Sequence, residues 1–190
     1  MLCLIVLAAG LSSRFGSNKL VEKMSGVPII RRVVTSALNS EVDEVIVVLG
    51  HQSETVRQAL EGLPCKFVLN KRYLDGQSSS LKVGLLAVKD RADAVLVLPG
   101  DLAHMTSDPI NEVVREYMKD GDPIVVPSYR GRIGHPILVT RELFDEMLEI
   151  SEESSGLKGL LDKHPRDILR VQVTSPEILI DIDKAEDLQR

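Results

Sequence analysis

The sequence predicts an α/β fold in which a mainly parallel sheet carries helices on both faces. Two observations support this. Short apolar runs recur along the chain as "LCLIVL" at 2 to 7, "EVIVVL" at 44 to 49, "CKFVLN" at 65 to 70, "AVLVLP" at 94 to 99 and "PIVVP" at 123 to 127. These runs are continuous rather than alternating, as strands buried on both faces require. Helical patterns separate them, and a strand–helix–strand rhythm makes consecutive strands parallel neighbours.

Each helix has its own signals. "PIIRRVVTSALNS" opens on Pro28, which the first turn tolerates because its missing N–H has no helical partner there. "SETVRQALEGL" offers Ser53 as a cap, and "SSSLKVGLLAVKD", "SDPINEVVREYMKD" and "RELFDEMLEI" follow later loops. The stretch "YRGRIGHPILV" breaks the rhythm. Gly131 and Gly134 punctuate two short extended pieces, and Pro136 cannot donate to a ladder, so a hairpin or bulged edge is expected. A glycine-containing polar stretch leads to the strand "ILRVQV", and "EILIDIDKAEDLQR" reads as a last strand entering a C-terminal helix.

A chain of 190 residues with 44% hydrophobic content suits one domain with one core, spanning 1–190. The excess of 28 acidic over 23 basic side chains, a net charge of −5, argues against nucleic acid and anionic membranes as partners. A small anion can still find a local basic site. The opening "MLCLIVLAAG" has no basic flank, and its apolar run is far short of the roughly 20 residues that span a bilayer. It reads as a buried strand of a cytoplasmic protein. Cys3 and Cys65 have no ligand-like spacing and read as buried free thiols.

In open parallel sheets ligands bind beyond the carboxyl ends of the strands, which directs attention to the loops after the first and fourth. The first, "LAAGLSSRFGSNKL" at 7 to 20, holds Gly10, Ser12, Ser13, Arg14, Gly16 and Lys19. Glycines let backbone N–H groups approach an anion, a guanidinium grips phosphate oxygens in a fork, and a lysine adds a point charge. The loop is neither a Walker A motif nor GxGxxG. Its spacing fits an anion cradle and an ordinary connection with solvated charges about equally.

The fourth-strand loop, "LPGDLAHM", places Asp101 where a carboxylate can hold Mg²⁺, which takes one or two carboxylates and fills its shell with water and phosphate oxygens. A turn cap is the plain alternative, and His104 reads as structural. In "DGQSSSLKVG", Ser78, Ser79 and Ser80 open a helix and can donate to a ligand, with Ser78 as a simple N-cap the plain reading. Asp181 and Asp183 share one side of the expected last strand, as metal ligands or helix caps.

Together, "LAAGLSSRFGSNKL", "GVPII" at 26 to 30, "NKRYLDGQSSSLKVGL" at 70 to 85, "LPGDLAHM", "PSYRGRIGHPILV" at 127 to 139 and "DIDKAEDL" at 181 to 188 resemble the MobA/MocA-type NTP transferase family. "GQSSSL" and "GRIGHP" resemble its molybdenum cofactor cytidylyltransferase-like branch, and the resemblance covers nearly the whole chain. It implies a Rossmann-like three-layer α/β/α fold of the nucleotidyltransferase type with a mostly parallel mixed sheet. It also implies Mg²⁺-dependent transfer of a nucleotide, CTP favoured over GTP, to molybdopterin with release of pyrophosphate. By that resemblance Leu7, Ala8, Ala9 and Gly10 line base and ribose, and Arg14 and Lys19 hold the phosphates. Ser79 and Ser80 read the base, Asp101 carries the metal with Asp183 as its second contact, and His135 faces the acceptor. NTP and molybdopterin are the implied partners, with a molybdenum-dependent apo-enzyme as a further candidate.

The chain departs from the family pattern in two places. The proline expected two residues after the metal aspartate is absent, Pro99 preceding Asp101 instead. The family's "GDxGxR" segment stands as "SSGLKGLL" at 154 to 161, with Lys158 in place of the arginine. These departures keep two alternatives in view: a different phosphorylated acceptor such as a sugar phosphate, and a non-catalytic protein that binds nucleotide or handles the molybdenum cofactor.

Overall fold

The computed structural model describes residues 1–11 and 18–182. Its organising strand is β1 (Leu2–Ala8), which pairs in parallel with β4 (Glu44–Leu49) on one side and β6 (Ala94–Pro99) on the other. Beyond β4 lies the edge strand β5 (Lys66–Leu69), also parallel. A short antiparallel pair, β2 (Lys23–Met24) and β3 (Val27–Pro28), turns through Ser25 and Gly26, both at positive φ, and feeds α1 (Ile29–Leu38).

The remaining elements are α2 (Ser53–Ala59), α3 (Gln77–Leu86), α4 (Ser107–Asp120), β7 (Ile124–Tyr129), β8 (Arg132–Ile133), β9 (Ile137–Thr140), α5 (Phe144–Glu149), α6 (Gly156–Lys163) and β10 (Ile168–Gln172). The main sheet runs β10-β7-β9-β6-β1-β4-β5, with β8 folded onto β7. It is mixed and mostly parallel: β9 alone among the strands on this path is antiparallel to its neighbours β6 and β7.

The strict alternation of strand side chains divides the core into two layers. Leu4, Val6, Val45, Val47, Leu96 and Leu98 face α1, α2 and α4. Cys3, Ile5, Ile46, Val48, Val95 and Val97 face α3, α5 and α6. The three-layer α/β/α arrangement therefore follows from continuous apolar strands that have two dry faces to cover. Cys3 is fully buried, and burial pushes its thiol up to about 11. Cys65 is partly buried, and both are free.

Several local expectations are corrected. The piece containing "PILV" is not an edge: β9 is fully buried inside the sheet, and Pro136 stands one residue outside it, where no ladder donor is needed. The hairpin itself is present between β7 and β8, its turn made by Arg130 and Gly131 at φ +51° and +80°. The polar stretch after α5 contains α6. The expected last strand is a 3₁₀ turn, Pro176–Leu179, because Pro176 fixes φ and removes a donor while the Ser175 hydroxyl accepts from the Glu177 amide at 3.4 Å. The expected C-terminal helix lies outside the described residues. Ser53 is the first residue of α2 rather than its cap, and Gln52, at φ +49°, takes the N-cap position.

Two interactions set the position of the second helical layer. Gly84 in α3 lets the helix lie directly on the sheet: a Cβ there would sit 2.6 Å from Ile5 Cγ2 and 2.9 Å from Val48 Cγ2. His164, at the C-terminus of α6, bridges to Glu146 on α5 through Nε2 at 2.9 Å and to Asp167 through Nδ1 at 3.0 Å. The hydrogen bond to Glu146, then that to Asp167, raises its pKa above the ordinary value.

These contacts yield two predictions. Gly84→Ala gains about 1 kcal/mol of helix propensity but overpacks the interface by about 1–3 kcal/mol, so denaturant unfolding should show a net loss of stability. Because the folded pKa of His164 is raised, its contribution is complete below the unfolded value and disappears as pH rises through the folded one. The stability gap between wild type and His164→Ala should therefore be larger at about pH 5.5 than at about pH 9.

Candidate active site

The carboxyl ends of β1 and β6 lie side by side, Leu7 opposite Pro99 in register. Just past them the Gly100 N–H donates to the Leu7 carbonyl at 2.9 Å. A side chain at Gly100 would place its Cβ 2.8 Å from that oxygen and 2.9 Å from Ile30 Cδ1, so the glycine in "LPGD" is required by close approach. Similarly, a Cβ at Gly50, after β4, would meet Ala9 Cβ at 2.6 Å and Tyr73 Cβ at 2.8 Å. His51 N–H donates to the Ala9 carbonyl at 3.1 Å. The chain leaving β1 is thus seated on the ends of both neighbouring strands, with Ala8 and Ala9 buried and Gly10 exposed.

This seating brings together Lys19 and Asp101, two charged residues far apart in the sequence. Lys19 Nζ lies 2.6 Å from Asp101 Oδ2, each side chain about one-fifth exposed. Lys19 also donates to the Ile182 carbonyl at 2.9 Å, and the Ile182 N–H donates to the Asp101 carbonyl at 3.2 Å. Ile182 is buried with Met24, Ile29 and Ala103, which anchors the C-terminal segment under the Asp101 loop. The turn carrying Lys19 begins at Asn18, whose Oδ1 accepts from the Leu20 N–H at 3.2 Å. Asn18 Nδ2 is buried without a partner among the described residues.

Across the sheet end, a small cavity of about 40 Å³ is lined by Leu7, Ser78, Leu81, Pro99, His135 and Leu157, among others. His135 is fixed by its N–H donating to the Ile178 carbonyl at 3.0 Å. Gly134 makes this possible, since a Cβ there would overlap Ile178. Burial pushes the His135 imidazole down to about 4, with the Asp101 charge acting the other way, so the ring is neutral at neutral pH.

The serines of "GQSSSL" divide. Ser79 is half-buried, and its hydroxyl reaches the carbonyls of Arg72 and Gly76 at 3.0 and 2.8 Å. Ser80 is buried, and Asn70 Nδ2 donates to the hydroxyls of both Ser79 and Ser80 at 2.8 and 2.9 Å. Asn70 Oδ1 in turn accepts from the Arg72 N–H at 2.9 Å. Ser78 is not the helix cap: Gly76 is, at φ +96°, and the Ser78 hydroxyl is buried without a partner among the described residues. The Ser78 N–H instead donates to Glu152 Oε1 at 2.7 Å.

Among the sequence-derived candidates, Leu7, Ala8, Ala9, Gly10, Lys19, Asp101 and His135 gather at this end of the sheet, as does α3 with Ser79 and Ser80. Arg14 and Asp183 lie outside the described residues, as do Ser12, Ser13 and Gly16. Asp181 is exposed and not in a strand. Sequence reasoning gave no role to Asn70, whose only signal is a polar residue closing an apolar strand. Glu152 carries no sequence signal, because it lies 74 positions from its partner.

No group of three or more His, Cys, Asp or Glu suited to a metal occurs among the described residues. Asp101 still fits a hard cation, since Mg²⁺ accepts one or two carboxylates and takes its other oxygens from phosphate and water.

A family model described as "MobA-like NTP transferase domain" matches residues 4–168. The chain belongs to this family. This MobA-like NTP transferase is 30% identical over 170 residues to the Bifunctional protein GlmU of Caldanaerobacter subterraneus, covering 80% of this chain and 36% of that one. The chain thus spans about a third of that relative's length. A solved nucleotidyl transferase from Methanothermobacter superposes over all of this chain and 95% of its own, with a TM-score of 0.86 and 26% identity. Rv0371C of Mycobacterium tuberculosis, solved in complex with manganese, matches in fold over all of this chain and 96% of its own, with a TM-score of 0.77 and 22% identity.

The Asn70 network of this MobA-like domain generates a prediction. Asn70→Ala leaves the Arg72 amide and two serine hydroxyls to find new partners, and unfolding should become easier by about 2–3 kcal/mol. Loss of the α3 N-terminal turn should appear as faster amide exchange at Ser79 and Ser80.

Proposed function

We propose that this protein is an Mg²⁺-dependent nucleotidyltransferase that joins a nucleotide to molybdopterin, with CTP favoured over GTP, and releases pyrophosphate. The observation that carries this reading is the Lys19–Asp101 pair at the adjoining ends of β1 and β6. An ammonium and a carboxylate at that point match the two needs of phosphoryl chemistry, a cation for the phosphates and an oxygen ligand for a metal.

In the reaction, a phosphate oxygen of the acceptor attacks the α-phosphorus of the NTP. A new P–O bond forms, the bond from the α-phosphorus to the bridging oxygen breaks, and pyrophosphate leaves with the electron pair. Bound at Asp101, Mg²⁺ supplies charge neutralisation at phosphate oxygens. Lys19 exchanges its partner Asp101 for phosphate oxygens, and Arg14 adds a fork-shaped contact. The buried Ala8–Ala9 backbone and the opening of α3 flank the base and ribose. Neutral His135 orients the acceptor by hydrogen bonding without adding charge. Asp183, one residue beyond the anchored Ile182, is the second carboxylate.

A second reading within the same chemistry, a different phosphorylated acceptor such as a sugar phosphate, rests on the altered "SSGLKGLL" segment. It runs into α6, and its Leu157 lines the same small cavity as His135. A molybdenum-dependent apo-enzyme as recipient of the product belongs to the first reading. Among the described residues, no helix is long and apolar enough to cross a membrane.

Purified protein with Mg²⁺, each NTP and molybdopterin or a sugar phosphate should release pyrophosphate, fastest with CTP and molybdopterin. Asp101→Asn should abolish metal-dependent release, and Lys19→Ala should slow it roughly 10²-fold with an unchanged far-UV spectrum. Absence of release with every NTP and acceptor overturns the proposal in favour of a nucleotide-binding or cofactor-handling role. Release with the sugar phosphate alone selects the second acceptor.

A further inference from the structure

The β7–β8 hairpin stands at the same end of the sheet as the Lys19–Asp101 pair. β7 is antiparallel to β9, which is antiparallel to β6, so β7 runs the way β6 and β1 do, and Tyr129 leaves the sheet on the side where Leu7 and Pro99 leave it. The two turn residues that follow, Arg130 and Gly131, are both at positive φ. Hairpin turns of that hand favour Asn-Gly and Gly-Gly, so an arginine at the first position is held against its backbone preference. A residue kept in such a conformation directs attention to what its side chain does.

Neither charge of this hairpin serves the fold. Arg130 and Arg132 are exposed, and among the described residues neither guanidinium makes a hydrogen bond or an ion pair. Elsewhere Arg72, Arg91 and Arg115 pair with carboxylates, and Arg31 and Arg32 bond carbonyls. The Arg130 guanidinium lies over the Tyr129 ring instead, Cζ 5.2 Å from the centroid, which orients the fork and leaves its N–H edge open. Cross-strand partners share a face, and Arg132 is opposite Tyr129, which packs in the layer of Leu102 and Met105 from the Asp101 loop.

One short segment ties the hairpin to that loop. At the hairpin base the Gly134 N–H donates to the Pro127 carbonyl at 2.9 Å and the His135 N–H to the Ile178 carbonyl at 3.0 Å. Four residues on, the Ile182 carbonyl accepts from Lys19 and the Ile182 N–H donates to the Asp101 carbonyl. Four residues of extended chain reach at most about 14 Å, so the hairpin base and the Lys19–Asp101 pair are a small molecule's length apart. A triphosphate and a phosphate monoester repel each other, and the proposed reaction commits Lys19 and Arg14 to the triphosphate. The acceptor needs a cation of its own. The segment 154–161, where the family pattern carries an arginine, offers the exposed Lys158, a point charge without a fork.

We infer that Arg130 and Arg132 form a guanidinium clamp for the phosphate of the acceptor, and that this hairpin rather than the segment 154–161 selects a phosphorylated acceptor. The assignment to an acceptor rests on the nucleotidyltransferase reading of the Lys19–Asp101 centre. The clamp holds terminal oxygens of a phosphate monoester and leaves one free to attack, and an unphosphorylated analogue gives it nothing to bind.

The test uses the full chain. Without NTP, glucose 1-phosphate and molybdopterin should each shift the Arg130 and Arg132 Nε–H resonances, and glucose should not. In pyrophosphate release with CTP and the better acceptor, Arg130→Ala and Arg132→Ala should each raise the acceptor KM about tenfold, with the KM for CTP unchanged. Arg130→Asn separates binding from folding: Asn suits the turn, so the melting temperature should rise while the acceptor KM rises as it does for Arg130→Ala. Lys158→Ala should leave the acceptor KM unchanged. Arginine resonances unmoved by both phosphorylated probes, or a loss of acceptor affinity that appears in Lys158→Ala instead, overturn the clamp. Pyrophosphate release indifferent to both arginines also overturns it and leaves the transferase reading standing. Shifted arginine resonances in a protein that releases no pyrophosphate with any pair uphold a phosphate clamp and refute the transferase reading.

Discussion

The approach of β6 to β1 at Gly100 is the constraint on which the site depends. The two strands end side by side, and the chain leaving β6 is held on β1 by the Gly100 N–H on the Leu7 carbonyl. A Cβ at that point has no room. Because the contact is made by backbone, it seats the start of the Asp101 loop on the end of β1, and the 2.6 Å ion pair to Lys19 forms beside it. A partly solvated pair of this kind adds little stability.

The strand order was largely legible because continuous apolar runs state burial on both faces directly. β1, β4, β5, β6 and β7 stand where those runs are. What was illegible depends on contacts between distant residues. β9 looks like an edge piece because Pro136 precedes it, yet its burial between β6 and β7 is decided by partners that periodicity does not name. α6 is hidden because its first turn is Ser155–Gly156 at positive φ, a composition that reads as loop. Of the candidate site, Gly10, Lys19 and Asp101 were legible from their place beyond strand ends, whereas Leu7, Ala8 and Ala9 entered through the family resemblance. Asn70 and Glu152 were not, since each acts by capping backbone that only the folded chain brings to it.

The serine triplet illustrates the limit well. Three hydroxyls at a helix start invite one common role, and a helical turn forbids it by pointing successive residues about 100° apart. Ser79 bonds carbonyls behind it, Ser80 turns inward to Asn70, and Ser78 is left buried between α3 and the 151–156 turn. Composition gave the helix start but not which serine hydroxyl lacks a partner among the described residues. The missing cap at Gly76 is the physical link between these facts. A glycine there exposes the first-turn N–H groups, and those groups require an acceptor from elsewhere.

The two faces of the sheet consequently hold their parts of the site by different means. On the face of α1 and α4, the Asp101 loop is secured by apolar burial of Ala103 and Ile182 and by Arg32 Nε and Ser36 Oγ donating to the backbone at Ala103 and Met105. Such contacts are dry and short-ranged, and they preorganise charges at no later cost. On the face of α3, α5 and α6, the tying contacts are charged and near water: Glu152 on the head of α3 and, within that layer, His164 between α5 and α6. Interactions of that kind are strengthened or lost with small changes in charge, whereas apolar packing is not. On the proposed function, a phosphate-handling centre stays fixed while a second substrate enters and a product leaves, and that reading calls on packed contacts in the first layer and exchangeable ones in the second.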